Sequence, residues 1–215
     1  MKNVLAFFGA FNPPTKAHVE LAKLAMEASG RKGVVFVPSK AEYIVDAQEK
    51  NYAFEDELRL EMIKDLQVRH SWLLFSDCDL AAEEQPHTYT SLCALRDQGF
   101  NAALLIGEDV LWSMEKEWQD VDKIAREFGI VCITRSDRKY PDAIKENEFL
   151  SGIADRITFV EAPSGYHGVS STLARQYYDQ AMEAWDNLCA IVPPEAAALL
   201  LKDLVDLITG GSHEA

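Results

Sequence analysis

The segment GAFNPPTKAH, Gly9 to His18, leaves the apolar run VLAFF (Val4 to Phe8) through a glycine, two prolines and a threonine. Gly9 and Ala10 are small enough for a ligand to approach the main chain, and Pro13 and Pro14 stiffen the turn. Thr15 has the side chain to cap a helix beginning at Lys16. Such a helix start offers unpaired N–H groups and the positive end of a dipole, and His18, one turn in, faces the same mouth. A second segment, GVSSTLARQYY, lies far along the chain. Ser170, Ser171 and Thr172 can cap a helix and donate hydroxyl hydrogen bonds, and Arg175 projects a planar fork suited to phosphate. Taken singly, the first segment also reads as a tight turn with a surface histidine, and the second as an ordinary N-cap followed by a surface arginine. A close-packed strand-to-helix turn with polar groups at its mouth suggests a phosphate site.

Both segments follow strand-like runs. Apolar, β-branched or aromatic stretches recur at Val4–Phe8, Val34–Val37, Trp72–Phe75, Ala102–Ile106, Ile130–Thr134 and Ile157–Val160. Segments of helical period separate most of them: Lys16–Ala28 ending at Gly30, Glu55–Leu66, Asp122–Phe128 ending at Gly129, Ser170–Trp185, and Glu195–Ile208 after Pro193-Pro194. Alternation of this kind predicts an α/β fold, a Rossmann-like, doubly wound parallel sheet with helices on both faces. Ligands of such sheets bind beyond the carboxyl ends of the strands, so the loops expected to matter are Gly9–Thr15, Gly107–Trp118 and Ala162–Ser171.

The 215 residues are enough for one substantial core, and no linker divides them, so residues 1–215 read as a single domain. MKNVLAFF is too short an apolar start for a signal peptide or a membrane span, and a cytoplasmic location is expected. Lys and Arg number 21 against 35 Asp and Glu, a net charge of −14 that disfavours nucleic acid or an anionic membrane as partner. Any bound anion must therefore meet local positive groups. Cys78, Cys93, Cys132 and Cys189 form no CxxC pair and are expected as buried free thiols. His70, His87, His167 and His213 lack metal-ligand spacing, although His167 lies close enough to Ser170 to approach the same anion. The closing GGSHEA reads as a frayed tail.

The pairing of GxFxPxxxxH after the first strand with SSTxxR after the last resembles the signature of the nucleotidyltransferase superfamily, with Thr15 and His18 as its T/H-x-x-H element. The resemblance extends to the nicotinate or nicotinamide mononucleotide adenylyltransferases. VVFVPS, the helix with Arg59 and Met62, HTYTSLCAL, LLIGEDVLWSMEKEW and GIVCITR are similar to successive segments of that family, in order, over most of the chain. Ala17 stands where glycine is frequent, Glu108 replaces a small residue before Asp109, Cys93 replaces a threonine, and the segment SKAEYIVDAQEKNYAFED matches no family form clearly. These departures bear on acceptor specificity and leave the phosphate motifs intact.

The resemblance implies attack by a mononucleotide 5′-phosphate on the α-phosphorus of ATP, with Mg²⁺ accompanying ATP and no protein metal site. His18, Thr15 and Arg175 would be catalytic. Gly9, Ala10, Phe11, Asp109, Ser171 and Thr172 would bind ATP, and Thr90 and Trp118 the acceptor. Lys40 or Lys50 would add charge. The attacking phosphate is already an anion, so no general base is required. Nicotinate mononucleotide is the leading acceptor; nicotinamide mononucleotide and, more remotely, phosphopantetheine remain alternatives, as does a nucleotide sensor without turnover. Homo-oligomer formation is left open.

Overall fold

The computed structural model describes residues 1–135, 144–166 and 168–209. Six strands, β1 (Lys2–Gly9), β2 (Val34–Pro38), β3 (Leu73–Phe75), β4 (Phe100–Gly107), β5 (Ile130–Thr134) and β6 (Ile157–Glu161), form one parallel sheet in the order β3-β2-β1-β4-β5-β6. All six runs expected from the sequence are strands of this sheet. β2 and β5 are buried along their whole length. That explains their unbroken apolar character: with helices on both sides, neither side of the strand needs polar residues.

Successive strand residues point to opposite sides, and each side carries its own core. Val4, Ala6, Val35, Val37, Leu104 and Ile106 pack on one side, beneath α4 (Thr88–Asp97), α5 (Glu108–Glu117) and α6 (Val121–Glu127). Leu5, Val34, Phe36, Leu105, Val131 and Ile133 pack on the other, against α1 (Lys16–Ala28) and α3 (Asp56–Arg69). A third cluster joins α3 to α8 (Ser171–Asp179), α9 (Trp185–Ile191) and α10 (Pro194–Thr209), around Met62, Ala174, Leu188 and Leu200. Two short helices, α2 (Ala41–Asp46) and α7 (Glu148–Gly152), complete the described set. The strand order reverses between β1 and β4, and the crevice above their carboxyl ends is the place for a ligand.

Some expectations need correction. Gly107–Trp118 is not a loop: Gly107 caps α5, whose first turn carries Glu108 and Asp109, where acidic groups meet the positive helix end. The helix expected over Ser170–Trp185 stops at Asp179, and a 3₁₀ turn (Ala181–Ala184) follows, because Ala181 takes φ +50°. Part of the segment 39–56 is helical, as α2. Of the cysteines only Cys132 is buried, the other three being partly exposed; all four are free. His167, His213 and the tail GGSHEA fall outside the described residues.

Candidate active site

The turn from β1 to α1 is built from within. A Cβ on Gly9 would press on the Phe11 ring at 3.4 Å. Phe11 is buried with φ +43°, edge-on to Phe7 at 5.3 Å and to His18 at 5.3 Å. Its ring is thus closed off from solvent and packed against the histidine ring. The Asn12–Pro13 peptide is cis. Asn12 is fully buried: its Nδ2 donates to Tyr52 O at 3.0 Å and its Oδ1 accepts from Phe54 N–H at 2.8 Å.

Thr15 and His18 form a reciprocal capping box in which histidine fills the place usual for Glu or Gln. The Thr15 main-chain N–H donates to His18 Nδ1 at 2.9 Å, and the Thr15 hydroxyl accepts from His18 N–H at 3.4 Å. With the Nδ1 lone pair occupied by a fixed donor, the ring proton resides on Nε2. Burial, and then the charge of Arg135 at the end of β5, lower the His18 pKa from 6.5 to about 4. At neutral pH the side chain is thus an uncharged N–H donor of fixed tautomer at the N-terminus of α1.

The SSTxxR helix sits on this same turn. Ser170 caps α8 by accepting from Leu173 N–H at 3.2 Å. Ser171 Oγ donates to Pro13 O at 2.8 Å, and Arg175 Nη1 donates to Asn12 O at 2.8 Å. Arg175 Nη2 lies 3.4 Å from Thr172 Oγ1, and its guanidinium stands 5.8 Å from the Tyr52 ring centre. Thr15, His18, Ser171, Thr172 and Arg175 therefore converge on one turn. Lys16 reaches across the junction, its Nζ donating to the carbonyls of Cys189 and Ala190 at 2.9 Å each and holding the end of α9.

Asp109 lies in the first turn of α5 on the other side of the β1/β4 crevice, its carboxylate folded over Gly107, where a Cβ would come within 2.6 Å of Oδ1. Thr90 is exposed in the first turn of α4. Trp118 caps the far end of α5, half-buried on the α4 side of the sheet. The ten residues of α5 set it roughly 15 Å from Gly107. Both acceptor candidates thus belong to helices on the side of the sheet opposite α1. Lys40 turns away to donate to Leu80 O at 3.0 Å, and Lys50 is exposed.

Two buried groups had no role in the sequence reading. Arg59, 0% exposed, donates through Nε to Phe54 O at 3.0 Å, through Nη1 to Ala10 O at 2.6 Å and through Nη2 to Ser39 O at 2.6 Å, and pairs with Asp56. It gathers the ends of β1 and β2 and the segment before α3 around one charge. Its signal was present: Arg59, Met62, Ile63 and Leu66 fall at i, i+3, i+4 and i+7, which puts a cation on the apolar stripe. Asp79, 2% exposed, accepts from Ser91 Oγ at 2.6 Å and Gln85 Nε2 at 2.7 Å. It lies in an acidic, loop-like run that gives no hint of burial.

Similarity to other proteins follows the same lines. The chain is 28% identical over 209 residues to the probable nicotinate-nucleotide adenylyltransferase of Neisseria gonorrhoeae (strain NCCP11945), covering 94% of this chain and 97% of that protein. It is 24% identical over 172 residues to the nicotinamide/nicotinic acid mononucleotide adenylyltransferase of Arabidopsis thaliana, covering 74% and 72%. Its fold superposes with a TM-score of 0.70, at 17% identity and over 97% of this chain and 98% of the other, on Plasmodium falciparum nicotinic acid mononucleotide adenylyltransferase complexed with NaAD. The sequence model of the cytidylyltransferase-like family matches residues 6–177, the span from β1 through the SSTxxR helix that holds both halves of the site. This chain belongs to the cytidylyltransferase-like family.

Proposed function

We propose that the protein is a nicotinate-nucleotide adenylyltransferase, joining ATP and nicotinate mononucleotide into the deamido-NAD dinucleotide with release of pyrophosphate. The observation that carries this reading is the His18 side chain, locked as a neutral Nε2–H donor on a turn that the SSTxxR helix also grips. In the reaction an oxygen of the mononucleotide phosphate forms a bond to the α-phosphorus, and the bond from that phosphorus to the α,β-bridging oxygen breaks. The nucleophile is ionised already, so the residues act by holding two anions in line and stabilising charge moving onto the leaving group.

His18 Nε2–H and the N–H groups of the β1–α1 turn donate to the α- and β-phosphate oxygens. Thr15 positions His18. Arg175, anchored on Asn12 O, turns its remaining N–H groups, with the Thr172 hydroxyl and the main-chain N–H groups that open α8, toward the β/γ-phosphates, while the Ser171 hydroxyl, its proton given to Pro13 O, ties the helix to the turn. Arg135, exposed at the end of β5, adds a charge that also keeps His18 neutral. No group of three or more His, Cys, Asp or Glu side chains able to hold a metal gathers among the described residues. Mg²⁺ would accompany ATP as substrate and would offset charge on the triphosphate. Asp109 serves the adenosine side, and Thr90 and Trp118 the mononucleotide, with the indole as a face for the pyridine ring. No helix among the described residues is long and apolar enough to cross a membrane.

Formation of the dinucleotide from ATP, Mg²⁺ and nicotinate mononucleotide, followed by chromatography, tests the reading; absence of that product from active-site-titrated, folded protein refutes it. The dual name of the Arabidopsis relative favours one alternative, the same transfer to nicotinamide mononucleotide.

A further inference from the structure

Between the ends of β2 and β3 and the first turn of α4 runs a chain of hydrogen bonds that converges on Asp79. Lys40 N–H donates to Gln85 Oε1 at 2.8 Å. Gln85 Nε2 donates to Asp79 Oδ2 at 2.7 Å, and Ser91 Oγ donates to Asp79 Oδ1 at 2.6 Å. Lys40 Nζ closes the loop on Leu80 O at 3.0 Å. The main-chain N–H of Lys40 can only donate, which fixes the orientation of the Gln85 amide and sends its NH₂ group to residue 79. Residue 79 therefore receives a donor from each side, and an acceptor-only carboxylate satisfies both. Ser91 is buried and immediately follows Thr90, which is exposed.

We propose that Asp79 is a positioning residue for the acceptor nucleotide, holding the first turn of α4, and Thr90 with it, in register with the end of β2 through the Lys40–Gln85–Asp79–Ser91 relay. The proposal rests on the acceptor lying against α4, as in the reading above. A buried carboxylate costs desolvation free energy that its hydrogen bonds must offset, and Ser91, Gln85 and the nearby Lys40 supply that compensation. Asp79 shares no hydrogen bond with Thr15 or His18, so its loss should weigh more on the mononucleotide than on ATP.

The relay can be rewritten. Asp79→Asn either turns its NH₂ group toward the Gln85 NH₂ and breaks that link, or turns it toward Ser91 Oγ, which must then accept instead of donate, and in both cases the charge-assisted bonds are lost; Gln85→Glu sets two carboxylates against each other. In the double variant, the carboxylate introduced at position 85 accepts both from Lys40 N–H and from the amide introduced at position 79. The relay is then whole again, with its charge moved to the neighbouring member. Steady-state kinetics of all three, with each substrate varied in turn, test the proposal. Asp79→Asn is expected to raise KM for the mononucleotide roughly tenfold, with KM for ATP and kcat within about twofold of wild type, and the double variant is expected to return KM most of the way. Ser91→Ala, with less disturbance of folding, should reproduce the same split and carries the test if Asp79→Asn is insoluble. An unchanged mononucleotide KM, equal rises for both substrates, a fall in kcat alone, or failure of the double variant to restore KM overturns the proposal. If the wild-type protein turns over no mononucleotide, it is the adenylyltransferase reading that has failed, and the two failures stay distinct.

Discussion

His18 should titrate far below an ordinary histidine. Burial, then Arg135, take its pKa from 6.5 to about 4. That separation of about 2.5 pH units, at about 1.4 kcal/mol per unit, sets a ceiling of roughly 3 kcal/mol. The ring is only half-buried, so solvent screening leaves about 1–2 kcal/mol. The sign follows from proton uptake: between pH 6.5 and 4 the unfolded chain binds the proton that folded His18 refuses. This contribution to stability is complete above pH 6.5 and lost as pH falls through the window to about 4. Imidazole ¹⁵N shifts followed by NMR from about pH 8 down to about 3.5, a range that brackets both the ordinary histidine pKa and the lowered one, are the assay. They should show a neutral Nε2–H tautomer throughout the upper range and a midpoint near 4, and Arg135→Ala should move that midpoint upward. A midpoint near 6.5, or the Nδ1–H tautomer at neutral pH, refutes the argument that the Thr15 cap dictates the donor.

Other consequences are as specific. His18→Ala should lower kcat about 10²- to 10³-fold, as loss of one positioned donor does, with the circular dichroism spectrum retained; near-normal turnover contradicts its role. Arg59→Met removes a buried charge bonded to three carbonyls and a carboxylate, and should cost about 3–5 kcal/mol in urea unfolding. Arg175→Lys keeps the charge but not the fork, so it should raise KM for ATP about tenfold or more while sparing KM for the mononucleotide. Thr15→Val deletes the capping hydroxyl and should cost about 1 kcal/mol, read as a lowered Tm.

The sheet was legible in the sequence because parallel strands buried on both sides appear as short unbroken runs such as VVFV and IVCIT. α1 was legible from its cap and apolar stripe, and its bounds match the expectation. α5 was missed because GEDVLWSMEKEW opens on a glycine and two acids, which resemble a loop until they are recognised as an N-cap and an acidic first turn. The break after α8 has no local signal, since Ala181 is an ordinary helix former held at φ +50°. In the candidate site the residues proposed for phosphate chemistry were legible through two motifs. What spacing could not convey is how they are joined: that Ser171 and Arg175 spend donors on the carbonyls of Pro13 and Asn12, or that Thr15 chooses the tautomer of His18. Asp79 was invisible because an isolated aspartate among DCDLAAEEQ reads as solvated surface, and only the three-dimensional path through Gln85 and Ser91 makes it a buried acceptor.

The central claim is adenylyl transfer to a pyridine mononucleotide, and it is met most directly by pyrophosphate release from ATP and Mg²⁺ with nicotinate mononucleotide and nicotinamide mononucleotide in parallel. Release should depend on added mononucleotide, with the larger kcat/KM for the nicotinate form. Silence with both acceptors from folded, ATP-competent protein would contradict it.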